Sequence, residues 1–539
     1  MGALLSCRRG WFSRHTRESI RQEEARFVQE TIDTAQRAQE AEVQRRRSQR
    51  RLLYIWLAWL VIAPLIWLLF YMKSWKKVGK DYRFDDIPEY YRELPSDLSP
   101  VTNIVIANMI GAGIFTTSGL LMGDLRNPSL MVTLWIVGGI IALCGALCYS
   151  ELGAAIPQAG GEYIYLSKLY HPLLGFLSGW VSFFVGFSAP IAASAIGFSE
   201  YMSRAFPWIL RWGILDSSLE EVILKKFYAV LIIIIFTLIH LQGIVFGSQV
   251  QNILTVLKVA LIAGLIFIGF AFGSGSFEHF SHGLDFSFNF GGWKIIGLSL
   301  MWIMFSYSGW NASAYIGSEI KNPKKNFPLS LLVGTGIVIL LYFGLNLFFV
   351  YAIPPEDMQG VISIGGLAVG NSFGKSFESL FSTLIAFALF SSLSAFIILG
   401  PRVYFSMAKD GYFFKFASKV NGTHHVPYKS IILQGIIAVI IVLAGTLDQI
   451  FTFMGFSLGI FPILAVIGVF KLRRMKKSEY KMPGFPVVPA IYILAGVIIL
   501  VLGFLERPIP SSIAILTVVV GIPAYYIFTE VYKNNRKDS

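Results

Sequence analysis

Charge is scarce in this sequence. Asp, Glu, Lys and Arg make up 14% of its 539 residues, where a soluble domain carries about 25%. Cysteine is scarcer still, with three in all. Cys144 and Cys148 sit inside an apolar run and Cys7 lies near the start, so neither a disulfide nor a metal site is expected. HExxH, a Ser–Lys or paired-Asp arrangement at membrane depth, and a P-loop are all missing. Those absences argue against an intramembrane hydrolase and an ATP-driven pump, so the chain is read as no enzyme and as needing no cofactor. No cleavable signal peptide is evident, because the first apolar run begins only at Leu52. The formal charge of +13 does not indicate nucleic acid, since Lys and Arg gather at the N-terminus and in particular loops.

Hydrophobic residues are abundant, at 55%. Many fall in continuous runs of roughly 20 residues, the length that crosses a bilayer core as a helix. Lipid cannot satisfy backbone N–H and C=O groups, so such runs must be helical or part of a closed barrel. These runs do not alternate, which selects helices. From Val101 onward twelve runs are expected to span, over 101–121, 128–149, 173–202, 227–245, 248–272, 292–318, 328–352, 377–408, 428–446, 448–470, 487–505 and 511–531. Residues 101–532 therefore read as one twelve-span membrane domain, with 533–539 as a tail. Ahead of it lie a polar, charged segment (1–51), an aromatic-rich apolar run with Pro64 (52–72) and a linker (73–100). The expectation for 52–72 is a full extra span, which puts 1–51 outside the cytoplasm; an interfacial helix would leave them inside. Met1-Gly2-Ala3-Leu4-Leu5-Ser6 fits a short myristoylation pattern that a full span makes implausible.

Loop charge gives the orientation. Lys321, Lys324 and Lys325 follow the sixth run, Lys409, Lys415, Lys419 and Lys429 the eighth, and Lys471, Arg473, Arg474, Lys476, Lys477 and Lys481 the tenth. Loops after even runs are thus expected in the cytoplasm, together with the start of the first run and the C-terminus. The loop after the third run, with Arg204, Arg211, Lys225 and Lys226, is an exception to the pattern. The expected location is the cell membrane, multi-pass.

Two runs carry helix-weakening small residues near their middles. The first contains Asn108-Met109-Ile110-Gly111-Ala112-Gly113-Ile114-Phe115, the sixth Phe305-Ser306-Tyr307-Ser308-Gly309-Trp310-Asn311. Irregular backbone at membrane depth is tolerated only where it lines a cavity. N–H groups freed at a half-helix N-terminus attract a carboxylate, and freed carbonyls receive an ammonium group. Each patch alone also fits ordinary close helix packing. A matched pair, five runs apart, points to an inverted-repeat transporter with a site at the midplane.

With four further stretches, the chain resembles the amino acid–polyamine–organocation superfamily. They are Glu151-Leu152-Gly153 through Pro157-Gln158-Ala159-Gly160-Gly161-Glu162-Tyr163; Glu319-Ile320-Lys321-Asn322-Pro323; Gly400-Pro401-Arg402 with Ala408-Lys409-Asp410-Gly411; and Lys481-Met482-Pro483-Gly484-Phe485-Pro486. The resemblance implies an all-α LeuT-like five-plus-five inverted repeat with two added spans, working by alternating access. It implies secondary transport of amino acids, by proton coupling or exchange. A polyamine or other amine carrier, and a non-transporting sensor on the same scaffold, are the alternatives. By the same resemblance, Ile110, Gly111, Ala112 and Gly113 would hold the substrate carboxylate. Phe305, Ser306 and Ser308 would hold the amine through backbone carbonyls, Phe305 also covering the substrate from outside.

Lys258 stands inside the fifth run, where a Lys costs around 3 kcal/mol. It either snorkels to the surface or lies buried near the breaks. In relatives that use protons, a Lys at this place resembles a substitute for a bound sodium ion, and here it would load and release a proton or stay as a fixed counter-charge. Ser391, Ser392 and Ser394 are candidate neighbours of this coupling group, or else ordinary interhelical hydrogen-bonders. His240, Glu151 and Glu319 read as structural. Heteromeric relatives use a Cys between the third and fourth spans to bind an accessory glycoprotein. Residues 204–226 hold none, so no disulfide-linked subunit is expected. The expected partners are an amino acid as small-molecule substrate, the lipid bilayer and, where coupling is to protons, protons.

Overall fold

The computed structural model describes residues 81–82, 98–210, 217–242, 244–281, 286–421, 426–476 and 479–537. The chain divides into two compact units, Met1–Lys77 and Val78–Ser539, and every described residue belongs to the second. The expectations for residues 1–51 and 52–72 lie outside the described residues.

The apolar runs are helices. In chain order these are α1 (Leu98–Met109), α2 (Ala112–Leu125), α3 (Pro128–Ala155), α4 (Glu162–Leu169), α5 (Pro172–Val181), α6 (Ser188–Ala205), α7 (Ser217–His240) and α8 (Ile244–Phe272). There follow α9 (Phe290–Ser306), α10 (Pro323–Ala352), α11 (Ile364–Phe373), α12 (Lys375–Lys409), α13 (Tyr428–Ala444), α14 (Leu447–Arg474), α15 (Val487–Glu506) and α16 (Pro508–Lys537). Among the described residues, ten helical stretches are long and apolar enough to cross a membrane, and α9 and α13 are shorter apolar helices. Local chemistry sets several starts. Pro128 opens α3 behind Asn127, whose side chain accepts from the Leu130 N–H, and Thr446 with Gln449 forms a capping box on α14.

Three expected runs are not single helices. The run 101–121 divides into α1 and α2, with Gly111 in extended backbone between them. The run 292–318 ends as α9 at Ser306, and a 3₁₀ segment begins at Ala312. Between them Gly309 has φ +100°, which an L side chain rarely adopts. The run 173–202 is interrupted by a π-helical turn over Ser182–Phe187, between α5 and α6. That interruption was not expected; its residues carry no Gly-X-Gly or Pro signal.

Helices α1 and α3 pack on α10, α6 on α12, and α9 on α15. Their shared interior is a continuous apolar core that also holds buried polar residues such as Thr117, Lys258, Ser306 and Ser392. Leu494, Val501 and Leu516, on α15 and α16, are more than half exposed, as lipid-facing side chains would be. Two-residue strands complete the fold: β1 (Asp81–Tyr82) pairs antiparallel with β2 (Val420–Asn421), Asp81 opposite Asn421 and Tyr82 opposite Val420.

The motif stretches lock onto one another. Buried Glu151 of α3 takes two hydrogen bonds from the Arg473 guanidinium of α14, at 2.8 and 2.6 Å, and one from the Met482 N–H at 3.0 Å. Arg402 of α12 pairs with Glu319 at 2.9 Å. The Tyr163 hydroxyl of α4 donates to Asp410, the residue after α12. Glu151 and Glu319 are thus structural ties, as read from their positions.

Candidate substrate site

The two interruptions face each other. A Cβ on Gly113 would lie 2.5 Å from Ser306 Oγ, and one on Gly309 would lie 2.7 Å from the Asn108 carbonyl carbon. Only glycine lets the α1–α2 break and the α9 break approach this closely.

Stopping a helix leaves carbonyls at its C-terminus without intrahelical donors. Three side chains take them up here. Lys258 Nζ, on α8, donates to the carbonyls of Ala107 (3.1 Å) and Ile110, and to Ser392 Oγ at 3.1 Å. Ser392 Oγ donates in turn to the Ile110 carbonyl at 2.6 Å. The Tyr342 hydroxyl of α10 bridges the breaks, 2.6 Å from the Met109 carbonyl and 3.0 Å from the Ser306 carbonyl. Lys258 is fully buried, which removes the snorkelling alternative. Its three acceptors match the three donors of an ammonium group, and a cation at a helix C-terminus is favoured by the macrodipole.

At α2 the situation is reversed. No side chain caps its N-terminus, and that N-terminus lines a small pocket. Gly111, Ala112 and Gly113 form one wall, Phe305, Ser306 and Ser308 another, and Asn108, Pro190, Ser194 and Phe396 close it. Ser306 Oγ donates to the Trp302 carbonyl at 3.0 Å and lies 3.1 Å from Thr117 Oγ1. Phe305 packs tilted on Phe451 with ring centroids 4.7 Å apart. A larger cavity adjoins the pocket, sharing Asn108, Phe305, Ser308 and Phe396, and extends past Asn311 and Tyr315 to Glu162.

Six of the seven residues expected at the substrate therefore meet around one pocket. The seventh, Ile110, is not on its wall; its side chain is buried in the core and its carbonyl serves Lys258. Of the three serines considered beside Lys258, Ser392 alone bonds to it. Ser391 lies 3.1 Å from Thr255, and Ser394 lies 3.0 Å from His240. Residues that the pattern reading missed are Tyr342, Asn108, Phe396 and Glu162. Asn108 opens the first interrupted stretch and had a local signal, as a polar residue in an apolar run. Tyr342 had none, since its hydroxyl matters only through two carbonyls far off in sequence.

Comparison with known proteins agrees with this architecture. Residues 98–523 match the amino acid permease family. The serine/threonine exchanger SteT of Bacillus subtilis (strain 168) is 28% identical over 436 residues, covering 78% of this chain and 94% of its own. The b(0,+)-type amino acid transporter 1 of Mus musculus is 25% identical, over 79% of this chain and 86% of its own length. The cystine/glutamate transporter of Homo sapiens is also 25% identical, over 79% and 83%. With its membrane-length helices and its match across most of the chain, this protein belongs to the amino acid permease family of membrane transporters and is not an enzyme.

Proposed function

We propose that this permease moves small zwitterionic amino acids by alternating access on a LeuT-like five-plus-five repeat of twelve spans, as an exchanger or a proton-coupled carrier. The observation that carries the reading is the pairing of an uncapped helix N-terminus with the C-terminal end of a second broken helix in one small pocket. The first offers N–H groups and positive dipole to a carboxylate; the second offers carbonyls to an amine. Gly111, Ala112 and Gly113 bind the carboxylate. Phe305, Ser306 and Ser308 bind the amine. Pro190, Ser194 and Phe396 bound a side-chain compartment with no charged group, which suits small neutral side chains. The similarity to a serine/threonine exchanger supports that choice.

Lys258 acts as a tethered cation in place of a bound sodium ion, holding the end of α1. The cavity extends from the pocket toward Glu162 and Tyr315, the side that loop charge assigns to the cytoplasm. On the other side, Tyr201 donates to the Phe115 carbonyl at 2.6 Å, and Arg204 pairs with Glu378 at 2.7 Å. This arrangement supports an inward-leaning conformer. On this reading the N-terminal end of α1 and the C-terminus are cytoplasmic, and no disulfide-linked subunit is required.

The test is uptake into proteoliposomes with a competition panel of amino acids and polyamines, across pH, repeated with Lys258→Ala. Small neutral amino acids are expected to compete best, and Lys258→Ala to abolish pH-dependent net uptake. Ligand binding without uptake would favour a sensor, and dominance by polyamines would favour an amine carrier.

A further inference from the structure

The larger cavity has one feature the substrate pocket does not need. Among the described residues that line it, Glu162 is the one with a full charge. It is 3% exposed, and no ion pair joins it to a described Lys, Arg or His. Its place is set by backbone. Gly161, immediately before it, has φ +58°, and a Cβ there would lie 2.4 Å from the Tyr315 ring. The Gly161 N–H also donates to the Ala314 carbonyl at 3.1 Å. The turn thus delivers the first residue of α4 against the segment that follows the α9 break.

The donors around the carboxylate are all neutral. Oε1 accepts from the Tyr149 hydroxyl at 2.7 Å and from Asn311 Nδ2, and Oε2 accepts from the Tyr315 hydroxyl at 2.8 Å. A carboxylate has about four acceptor positions, so one at Oε2 is still open. Aromatic residues line the same cavity and pack on one another. Trp310 lies 4.8 Å from Tyr149 and 5.9 Å from Tyr492, and Phe187 lies 5.3 Å from Tyr315, centroid to centroid. A lone carboxylate in a cavity lined by aromatic residues and, among the described residues, no basic group is complementary to a small organic cation.

We propose that Glu162 is the centre of a second, amine-selective subsite, which receives the ammonium group of a ligand passing between the broken-helix pocket and the cavity mouth. The ligand class is a primary alkylammonium, with or without a carboxylate. The proposal rests on the transport reading only in naming that path; the subsite itself requires only the cavity and the carboxylate. It discriminates against anionic ligands at that point, because the cavity wall offers them no cation.

The experiment uses the full-length protein in nanodiscs, with n-butylamine as the probe and butyrate as the control, read by thermal shift beside an amino acid such as serine. Butylamine is expected to stabilise the wild type and butyrate to leave it unmoved. Glu162→Gln is expected to raise the half-saturating butylamine concentration at least tenfold and that of serine by a smaller factor, since serine is also held at the broken-helix pocket. An equal butylamine response in wild type and Glu162→Gln, or none in either, overturns the subsite. Should Glu162→Gln fail to fold, Tyr315→Phe serves instead. It frees an acceptor position on Oε2 and is expected to tighten butylamine binding at least threefold; unchanged or weaker binding overturns the proposal. A wild type that ignores every amino acid yet responds to butylamine through Glu162 would sink the pocket reading and leave the subsite standing.

Discussion

Three side chains do at the breaks what a continuous helix would have done for itself. The Tyr342 hydroxyl touches carbonyls from both broken helices, and its ring packs on Trp135 and Tyr307 at 5.5 and 5.0 Å. Tyr342→Phe keeps the ring and removes the bridge. A hydrogen bond of this kind contributes about 1 kcal/mol, and a buried acceptor left unmet costs about 1–3 kcal/mol. Substrate affinity is therefore expected to fall about tenfold while the protein still purifies as a monodisperse species; a binding isotherm checks it, and unchanged affinity refutes the bridging role. Lys258 differs in kind, because a single side chain gathers two carbonyls of α1 and the Ser392 hydroxyl. Its presence mid-run was visible in the sequence. That Ser392, and neither Ser391 nor Ser394, completes its coordination depends on the rotation of α12, which periodicity does not resolve among neighbours one to three residues apart.

The helix breaks are set by glycines whose surroundings differ sharply. Gly113 and Gly309 each sit within 2.7 Å of the opposite break once a Cβ is imagined on them. Gly264, inside α8, has nothing within 4 Å of its imagined Cβ. Adding the same methyl group at each should separate site geometry from helix propensity. Gly113→Ala must push α2 from α9, and Gly309→Ala must also strain a left-handed backbone; overpacking of this sort costs about 1–3 kcal/mol. Both are expected to cut transport at least about tenfold. Gly264→Ala is expected to leave transport unchanged and to stabilise slightly, by about 0.5–1 kcal/mol. Equal effects at all three would mean that the glycines serve only general packing. The interruptions at Gly111 and Ser306–Gly309 were legible because the two small-residue patches recur as a matched pair five runs apart; either one alone fits close helix packing as well. The π-turn at Ser182–Phe187 was not, since it inserts a residue's worth of slack without any distinctive residue type.

Across the whole molecule, stability at one end rests on ties between distant motifs. Glu151 is fully buried and joins α3 to α14 through Arg473 and to the Met482 segment through the Met482 N–H, and the Arg473 guanidinium lies 4.0 Å from the Phe485 ring centroid. Glu151→Gln keeps the shape and removes the charge. Breaking one partner of a buried pair costs on the order of 3 kcal/mol, here reduced because Arg473 is partly exposed. A clear drop in melting temperature is expected, with the substrate affinity of the surviving protein unchanged. A preserved melting temperature would show the tie to be dispensable.

The residue pattern by itself determined that this is a membrane-embedded helical protein, where most of the described helices lie, and two of the three runs that break. Those outcomes follow from local terms: apolar length, backbone satisfaction in lipid and the missing Cβ of glycine. Only the tertiary structure decided what meets at the breaks. Tyr342 reaches Met109 and Ser306, Lys258 reaches Ala107 and Ile110, and Glu162 reaches Tyr149, Asn311 and Tyr315, each contact between different elements and most of them far apart along the chain. Such contacts are fixed by how helices rotate and cross as they pack, a property of pairs of elements that no single run of residues contains.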